Sequence, residues 1–201
     1  MPGYVDAAVS HAKFAREVAD YRTLERDYRA RGWLLLEARF PNVVVALAAT
    51  QLHPPAIVTG VQFDYTNYDA EPPSVRLISP FSGEPYLAKD LPTQLLRNAG
   101  QLQQLPSPVP AAVAFRVNQV QPLMVAHGPD EVPFLCIAGV REYHDHPAHS
   151  GDSWELHRTS GAGRLVRILE VIHKYGVEPI ARYQVQPQVT GLEIDIQQVP
   201  A

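Results

Sequence analysis

A single cysteine and a cluster of histidines lie close together in the second half of the chain. Cys136 is the only cysteine among 201 residues, and the segment that follows it holds four of the eight histidines. These are His144, His146, His149 and His157. An imidazole next to a thiol can lower the thiol pKa or take up its proton, which makes the sulfur a nucleophile. The functional centre is therefore expected in this segment.

The first interpretation is nucleophilic catalysis without a cofactor. Cys136 would attack a carbonyl carbon and form a covalent acyl intermediate. His144 and His149 would serve as acid and base, and Glu142 would orient one of them. The tetrahedral oxyanion would need a donor, either a histidine or the backbone N–H groups of the loop. The predicted catalytic residues are thus Cys136, His144, His149 and Glu142.

A second interpretation is a zinc site. A thiolate, a carboxylate and two imidazoles form a chemically reasonable zinc set, here Cys136, Glu142, His144 and His149. His146 and His157 could replace either imidazole. The spacing matches neither Cys-x-x-Cys nor His-Glu-x-x-His, which would be specific by themselves. In a third interpretation, Cys136 is a small buried apolar residue and the histidines are solvated.

Composition excludes some classes of partner. The formal net charge is −4 and no long basic run is present, so no nucleic-acid partner is expected. No apolar stretch is long enough to span a bilayer, and the N-terminus does not resemble a signal peptide. A single cysteine suits a reducing compartment. The sequence therefore predicts a cytoplasmic protein with no membrane contact.

The first 80 residues predict one helix followed by four antiparallel strands. Apolar residues recur every three or four positions over 6–31, which is typical of an amphipathic helix. The strands are expected at 33–40, 43–51, 56–65 and 75–78. Pro72 and Pro73 mark a bend before the fourth strand, since proline cannot donate to a central ladder. The fold class is α+β.

The remaining residues place the candidate site between a strand and a helix. Residues 81–131 are interpreted as an insertion with a short helix at 91–105 and a strand at 111–120. Cys136 falls in a buried strand at 132–140. A helix is expected at 164–175, with Leu165, Ile168, Leu169 and Ile172 on its buried face, followed by strands at 181–186 and 191–197. Residues 1–201 are predicted to form a single domain.

The order of these elements resembles that of ubiquitin-conjugating enzymes. Residues 61–80, with their aromatic-ending strand and double proline, resemble the third and fourth strands of that family. Residues 134–137 resemble its active-site segment, and Trp154 stands where a downstream tryptophan does. The resemblance implies a ubiquitin-conjugating-like fold in which Cys136 accepts a ubiquitin-like modifier as a thioester and passes it to an amine. The implied partners are that ubiquitin-like protein and its activating enzyme. The family's His-Pro-Asn ahead of the cysteine is absent here.

The histidine segment is also similar to a second family. Cys136, Glu142 and the histidines match the Cys, Glu, His, His signature of a bacterial family described as predicted metal-binding proteins. Members of that family occur alongside ubiquitin-like proteins, activating enzymes and deubiquitinase-like peptidases. This resemblance implies a zinc-binding accessory protein rather than a transferase. The two resemblances share a setting, bacterial ubiquitin-like conjugation, and differ in the chemistry at Cys136.

Overall fold

The computed structural model describes residues 6–98 and 120–184, and its N-terminal part is helical. Helix α1 spans Ala7–Thr23, and helix α2 spans Glu25–Ala30. The Asp6 side chain caps α1 by accepting a hydrogen bond from the Ala8 N–H at 2.8 Å. The sequence predicts one helix here, whereas the structure breaks it at Leu24, which has non-helical backbone angles. The chain thereby changes direction before the sheet begins.

The four predicted strands form one antiparallel meander. They are β1 (Trp33–Arg39), β2 (Asn42–Ala49), β3 (Ala56–Asp64) and β4 (Ser74–Ile78), in the spatial order β1-β2-β3-β4. Phe63 on β3 pairs with Val75 on β4, and both side chains are buried. The apolar side chains of α1, among them Phe14, Val18 and Tyr21, belong to the same core as this pair. The α+β fold class is confirmed.

Short elements follow the sheet. Strand β5 (Leu96–Asn98) pairs with β6 (Val120–Pro122), and β7 (Met124–Val125) pairs with β8 (Phe134–Leu135). Helices α3 (Arg141–Asp145), α4 (Trp154–His157) and α5 (Leu165–Ile172) complete the order, and a π-helical turn, His173–Val177, extends α5. In the residues that the structure describes, no helix is long and apolar enough to cross a membrane.

Two predictions for the second half need correction. The strand expected at 132–140 is only two residues long, because the chain turns after Cys136 and Gly139 adopts a left-handed backbone with φ of 103°. Residues 91–98, expected in a helix, are not helical: residues 91–95 are irregular and residues 96–98 form β5. The rest of that predicted helix beyond residue 98 lies outside the described residues, as does the predicted strand at 111–120 apart from Val120, where β6 begins.

The C-terminal helix agrees with its prediction. Its four expected apolar residues, Leu165, Ile168, Leu169 and Ile172, are all buried. The guanidinium of Arg31 holds the Glu170 carboxylate with two hydrogen bonds of 2.6 and 2.9 Å, which ties the end of α2 to α5. A third prediction is also wrong in part: residues 181–184, expected to begin a strand, are irregular, and the remainder of the predicted C-terminal strands lies outside the described residues.

Candidate active site

Cys136 is held at the end of a strand by its backbone. Its N–H donates to the Leu123 carbonyl at 2.7 Å, and the next N–H, that of Ile137, donates to the Leu135 carbonyl. The turn that follows packs tightly on the chain at 162–163. A Cβ on Gly139 would lie 2.4 Å from the carbonyl carbon and oxygen of Ala162, so this position accepts only glycine. The thiol is therefore anchored by a close backbone contact.

The proline bend holds the first helix of the histidine segment. The carbonyl of Pro73 accepts the Arg141 N–H at 2.9 Å, and the carbonyl of Pro72 accepts Arg141 Nε at 3.2 Å. The guanidinium also reaches the Thr66 carbonyl at 2.6 Å. Because Arg141 begins α3, the bend before β4 determines where the histidines start. This function of Pro72 and Pro73 could not be read from their spacing.

Glu142 forms hydrogen bonds that join α3 to the sheet, rather than hydrogen bonds at the Cys136 thiol. Its carboxylate accepts a hydrogen bond from the Ser74 hydroxyl and another, at 3.4 Å, from the Val75 N–H. These bonds join α3 to the start of β4. The structure therefore places Glu142 as a structural acceptor on the sheet side of the helix.

His149 is the imidazole that contacts the cysteine. Its Nε2 lies 3.5 Å from Cys136 Sγ, at the end of a 3-10 turn formed by Pro147–His149. Burial raises the pKa of the Cys136 thiol, while the positive charge of Arg97 acts in the opposite direction. A thiol with a raised pKa is protonated at neutral pH. Nucleophilic attack therefore requires a base, and His149 is in position to supply it.

Tyr143 and Asp152 support the back of His149. The Tyr143 ring stacks on the His149 ring, and its hydroxyl donates to Asp152 Oδ2 at 2.6 Å. This bond to a carboxylate, together with burial, raises the pKa of Tyr143 to about 12. The other carboxylate oxygen, Oδ1, lies 2.5 Å from His157 Nε2. The hydrogen bonds from Tyr143 and His157 lower the pKa of Asp152, so it is an anion at neutral pH.

His144 is engaged at both ring nitrogens. Its Nε2 accepts the Gly139 N–H at 3.2 Å. Its Nδ1 lies 2.8 Å from the Asp152 carbonyl, to which it donates. This pair of bonds selects the neutral tautomer with the proton on Nδ1. His144 thus ties the cysteine turn to the Asp152 loop, and neither nitrogen is free to move a proton at the thiol.

The remaining predicted imidazole, His146, packs against aromatic rings. It stacks on Phe134 with 5.1 Å between ring centroids and on His127 with 5.6 Å. Its Nδ1 accepts the Ala148 N–H at 3.2 Å. His146 therefore lies beside His149, with 5.7 Å between the two ring centroids, and it does not itself contact Cys136.

The four predicted metal ligands are not assembled around one point. Glu142 bonds to Ser74 and His144 to Gly139 and Asp152, whereas His149 contacts Cys136. Within residues 6–98 and 120–184, no group of three or more His, Cys, Asp or Glu side chains is arranged to hold a metal ion. Zinc binding through Cys136, Glu142, His144 and His149, with His146 or His157 as substitutes, stays a prediction.

A cleft of about 370 Å³ opens beside the thiol. This volume is within the range of sites that bind small molecules. Cys136, Ile137 and Ala138 form one wall, and no acceptor among the described residues contacts the Ala138 N–H. The cleft depends on contacts between distant segments, and the stacking of Tyr143 on His149 depends on the irregular turns between them. Sequence reasoning missed them, although the aromatic Tyr143 between Glu142 and His144 was a visible signal.

Comparison with known proteins places the chain in one family. The model of the Y4jH family matches residues 5–180. A relative from Sinorhizobium fredii (strain NBRC 101917 / NGR234), called uncharacterized protein y4jH, is 41% identical over 202 residues. The alignment covers 98% of this chain and 97% of that relative. The similarity therefore extends over the candidate site as well as over the sheet.

Proposed function

We propose that this chain, which belongs to the Y4jH family, is an acyl transferase with Cys136 as nucleophile and His149 as its base. The observation that carries the proposal is the 3.5 Å contact between Cys136 Sγ and His149 Nε2 at the wall of a cleft. A cysteine within hydrogen-bond reach of an imidazole, which is itself oriented by a third group, is the arrangement that activates thiols. Tyr143 is that third group.

The first half-reaction forms a thioester. His149 Nε2 takes the proton of the Cys136 thiol, and the sulfur attacks the carbonyl carbon of the acyl donor. The Ala138 N–H is available to hold the oxyanion that develops. When the tetrahedral intermediate collapses, the donor's leaving group departs with the proton from His149. In the second half-reaction an amine attacks the thioester, His149 accepts its proton, and the thiol of Cys136 is regenerated.

The acyl group that we propose is the C-terminal carboxyl group of a ubiquitin-like protein, delivered by its activating enzyme. Support comes from the order of the elements: N-terminal helices, four antiparallel strands with the Pro72-Pro73 bend before the fourth, and then, after the short strands β5 to β8, Cys136. This order is compatible with a ubiquitin-conjugating-like fold, which the sequence of residues 61–80 and 134–137 resembles. Glu142 and His144 are positioning residues in this proposal, because both hold the segment that carries His149.

The test is formation of a thioester adduct. Purified protein is incubated with ATP and with the activating enzyme and ubiquitin-like protein of the same organism. We expect an adduct that a thiol reductant cleaves, and Cys136→Ser should replace it with a reductant-resistant ester or abolish it. Failure to trap an adduct while the activating enzyme itself becomes charged would refute the proposal.

Two histidine variants make a matched pair for the base. His149→Gln removes the imidazole that contacts the thiol, and we expect loading to slow by about two to four orders of magnitude. His146→Gln removes a neighbouring imidazole that does not touch the sulfur, and loading should stay within about threefold of wild type. If the two changes slowed loading equally, His149 would have no specific role as the base.

A further inference from the structure

Among the residues that the structure describes, the cleft beside Cys136 is lined by two arginines and by no carboxylate. Arg97 comes from β5 and Arg167 from α5, so two separate segments bring positive charge to one opening. Between them lie apolar side chains that include Leu123, Ile168 and Val171. Apolar walls exclude water and strengthen the field of a nearby charge. The opening that leads to the thiol is therefore positive.

Within residues 6–98 and 120–184, the hydrogen-bond partners of both arginines are neutral groups. Arg97 Nη2 donates to the neutral amide oxygen of Gln121 at 3.1 Å, and Arg167 Nη1 donates to the Ser160 carbonyl at 3.1 Å. Among the described residues, no carboxylate forms an ion pair with either one. Arg164, one turn before Arg167, differs because it contacts the carboxylates of Asp20 and Glu17. The two arginines of the cleft thus retain donors and charge for a ligand.

We propose that this cleft binds an anionic group of the substrate, a carboxylate or a phosphate, between Arg97 and Arg167. A guanidinium presents its N–H groups in a planar fork that matches both of these anions. The inference deepens the proposed function, on which it rests for the identity of the acyl group. It specifies an acyl donor that carries negative charge close to its reacting carbonyl, such as a modifier tail with an acidic residue near its end.

The influence of Arg97 on the thiol is independent support. The charge of Arg97 lowers the pKa of Cys136 against the larger effect of burial. A positive charge that stabilises the Cys136 thiolate also stabilises an anion that binds beside the thiolate. Arg97 is therefore a specificity-determining residue in this proposal, and Arg167 joins it because it lines the same cleft.

The experiment compares two alkylating reagents that differ in charge. Iodoacetate is an anion and iodoacetamide is neutral, and with either one the sulfur forms a bond to carbon while iodide leaves. Because Cys136 is the only cysteine, all alkylation reports this site. Both reagents require the thiolate, so the ratio of their rates cancels any change in the thiol pKa. What remains is the attraction of the cleft for an anion.

We expect the iodoacetate to iodoacetamide ratio to exceed that of a cysteine-containing peptide by about threefold to tenfold at low ionic strength. Added salt should reduce the excess, since it screens the arginines. Arg97→Gln and Arg167→Gln should each lower the ratio, and the double variant should bring it to the peptide value. Arg22→Gln, a change to an arginine on α1 that lines a different groove, should leave the ratio unchanged.

Protection distinguishes the two anions. Acetate and inorganic phosphate are tested separately for their ability to slow the reaction with iodoacetamide, and the stronger protector identifies the preferred class.

A ratio equal to that of the peptide and unaffected by both arginine variants would overturn the proposal. The two proposals can fail separately. A high iodoacetate to iodoacetamide ratio without a thioester adduct would mean that the cleft binds anions but the protein does not transfer acyl groups. An adduct with a peptide-like ratio would mean that the protein is a transferase that does not select anions.

Discussion

The rings of Tyr143 and His149 lie face to face, with centroids 3.9 Å apart and planes inclined by 25°. The hydroxyl of the same tyrosine donates to Asp152. Because its pKa is raised to about 12, the phenol keeps its proton throughout the neutral range. Tyr143 thus connects the imidazole at the thiol with the Asp152 loop through two distinct contacts, one apolar and one polar.

These two contacts can be separated by substitution. Tyr143→Phe retains the ring and loses the hydrogen bond, so the rate of Cys136 alkylation by iodoacetamide at pH 7 should stay within about threefold of wild type. Tyr143→Leu removes the platform under His149, and the rate should fall about tenfold, which corresponds to one pKa unit at the thiol. The pH profile of alkylation measures both effects. Equal rates for the two variants would mean that stacking does not position the imidazole.

Any substitution of Gly139 should destabilise the fold, because backbone strain and a steric clash would both occur at this position. Its φ of 103° strains any residue with a Cβ, and that Cβ would lie 2.4 Å from the backbone of Ala162. We expect Gly139→Ala to lower the free energy of unfolding by about 3 kcal/mol or more. Gly83→Ala is the matched control, since Gly83 has φ of 77° but nothing within 4 Å of the added atom. It should cost about 1–2 kcal/mol. Urea denaturation compares the two, and similar costs would exclude a steric contribution at Gly139.

Glu17 should make stability depend on pH. Its side chain is only 2% exposed, and its Oε2 accepts the Leu165 N–H at the start of α5. Burial is the main cause of its raised pKa, outweighing that hydrogen bond and the charge of Arg164. A carboxyl with a raised folded-state pKa favours the folded state fully below its unfolded pKa, and this contribution is lost as pH rises through the folded value.

Glu17→Gln should remove this dependence while keeping an acceptor for Leu165. Above an unfolded pKa of about 4.3, the free energy of unfolding of wild type should decline relative to that of the variant as Glu17 ionises. Denaturation midpoints measured from pH 4 upward test the difference. Asp27→Asn, a change to an exposed carboxylate on α2, serves as control. A difference between wild type and Glu17→Gln that is constant with pH would contradict the expectation.

Phe63 should contribute substantially to the stability of the sheet. It is completely buried on β3 and stacks on Tyr65, with 6.0 Å between ring centroids. Phe63→Ala should lower the free energy of unfolding by about 3–5 kcal/mol, because it leaves a cavity as well as losing apolar burial. Phe81→Ala removes the same side chain from a site that is 85% exposed, and its effect should stay within about 0.5 kcal/mol. An unchanged denaturation midpoint for Phe63→Ala would contradict this core assignment.

Local patterns in the sequence were sufficient for the sheet and for the last helix. Alternation in β3, β-branched residues in β2 and turn prolines located the four strands, and a period of three to four located α5, since these signals arise from neighbours along the chain. They failed near Cys136. A two-residue strand followed by a left-handed Gly139 has no periodicity to detect, and its geometry is imposed by contact with Ala162.

The amino-acid sequence by itself determined that the chain is α+β and that Cys136 is accompanied by imidazoles, because residue type and spacing are local properties. Only the tertiary structure decided which imidazole meets the sulfur. His144, His146 and His149 lie within six positions of one another, yet His149 alone of these three contacts Cys136. The choice depends on where the Pro72-Pro73 carbonyls hold Arg141 and where Asp152 returns, and both are contacts between segments that sequence spacing does not encode.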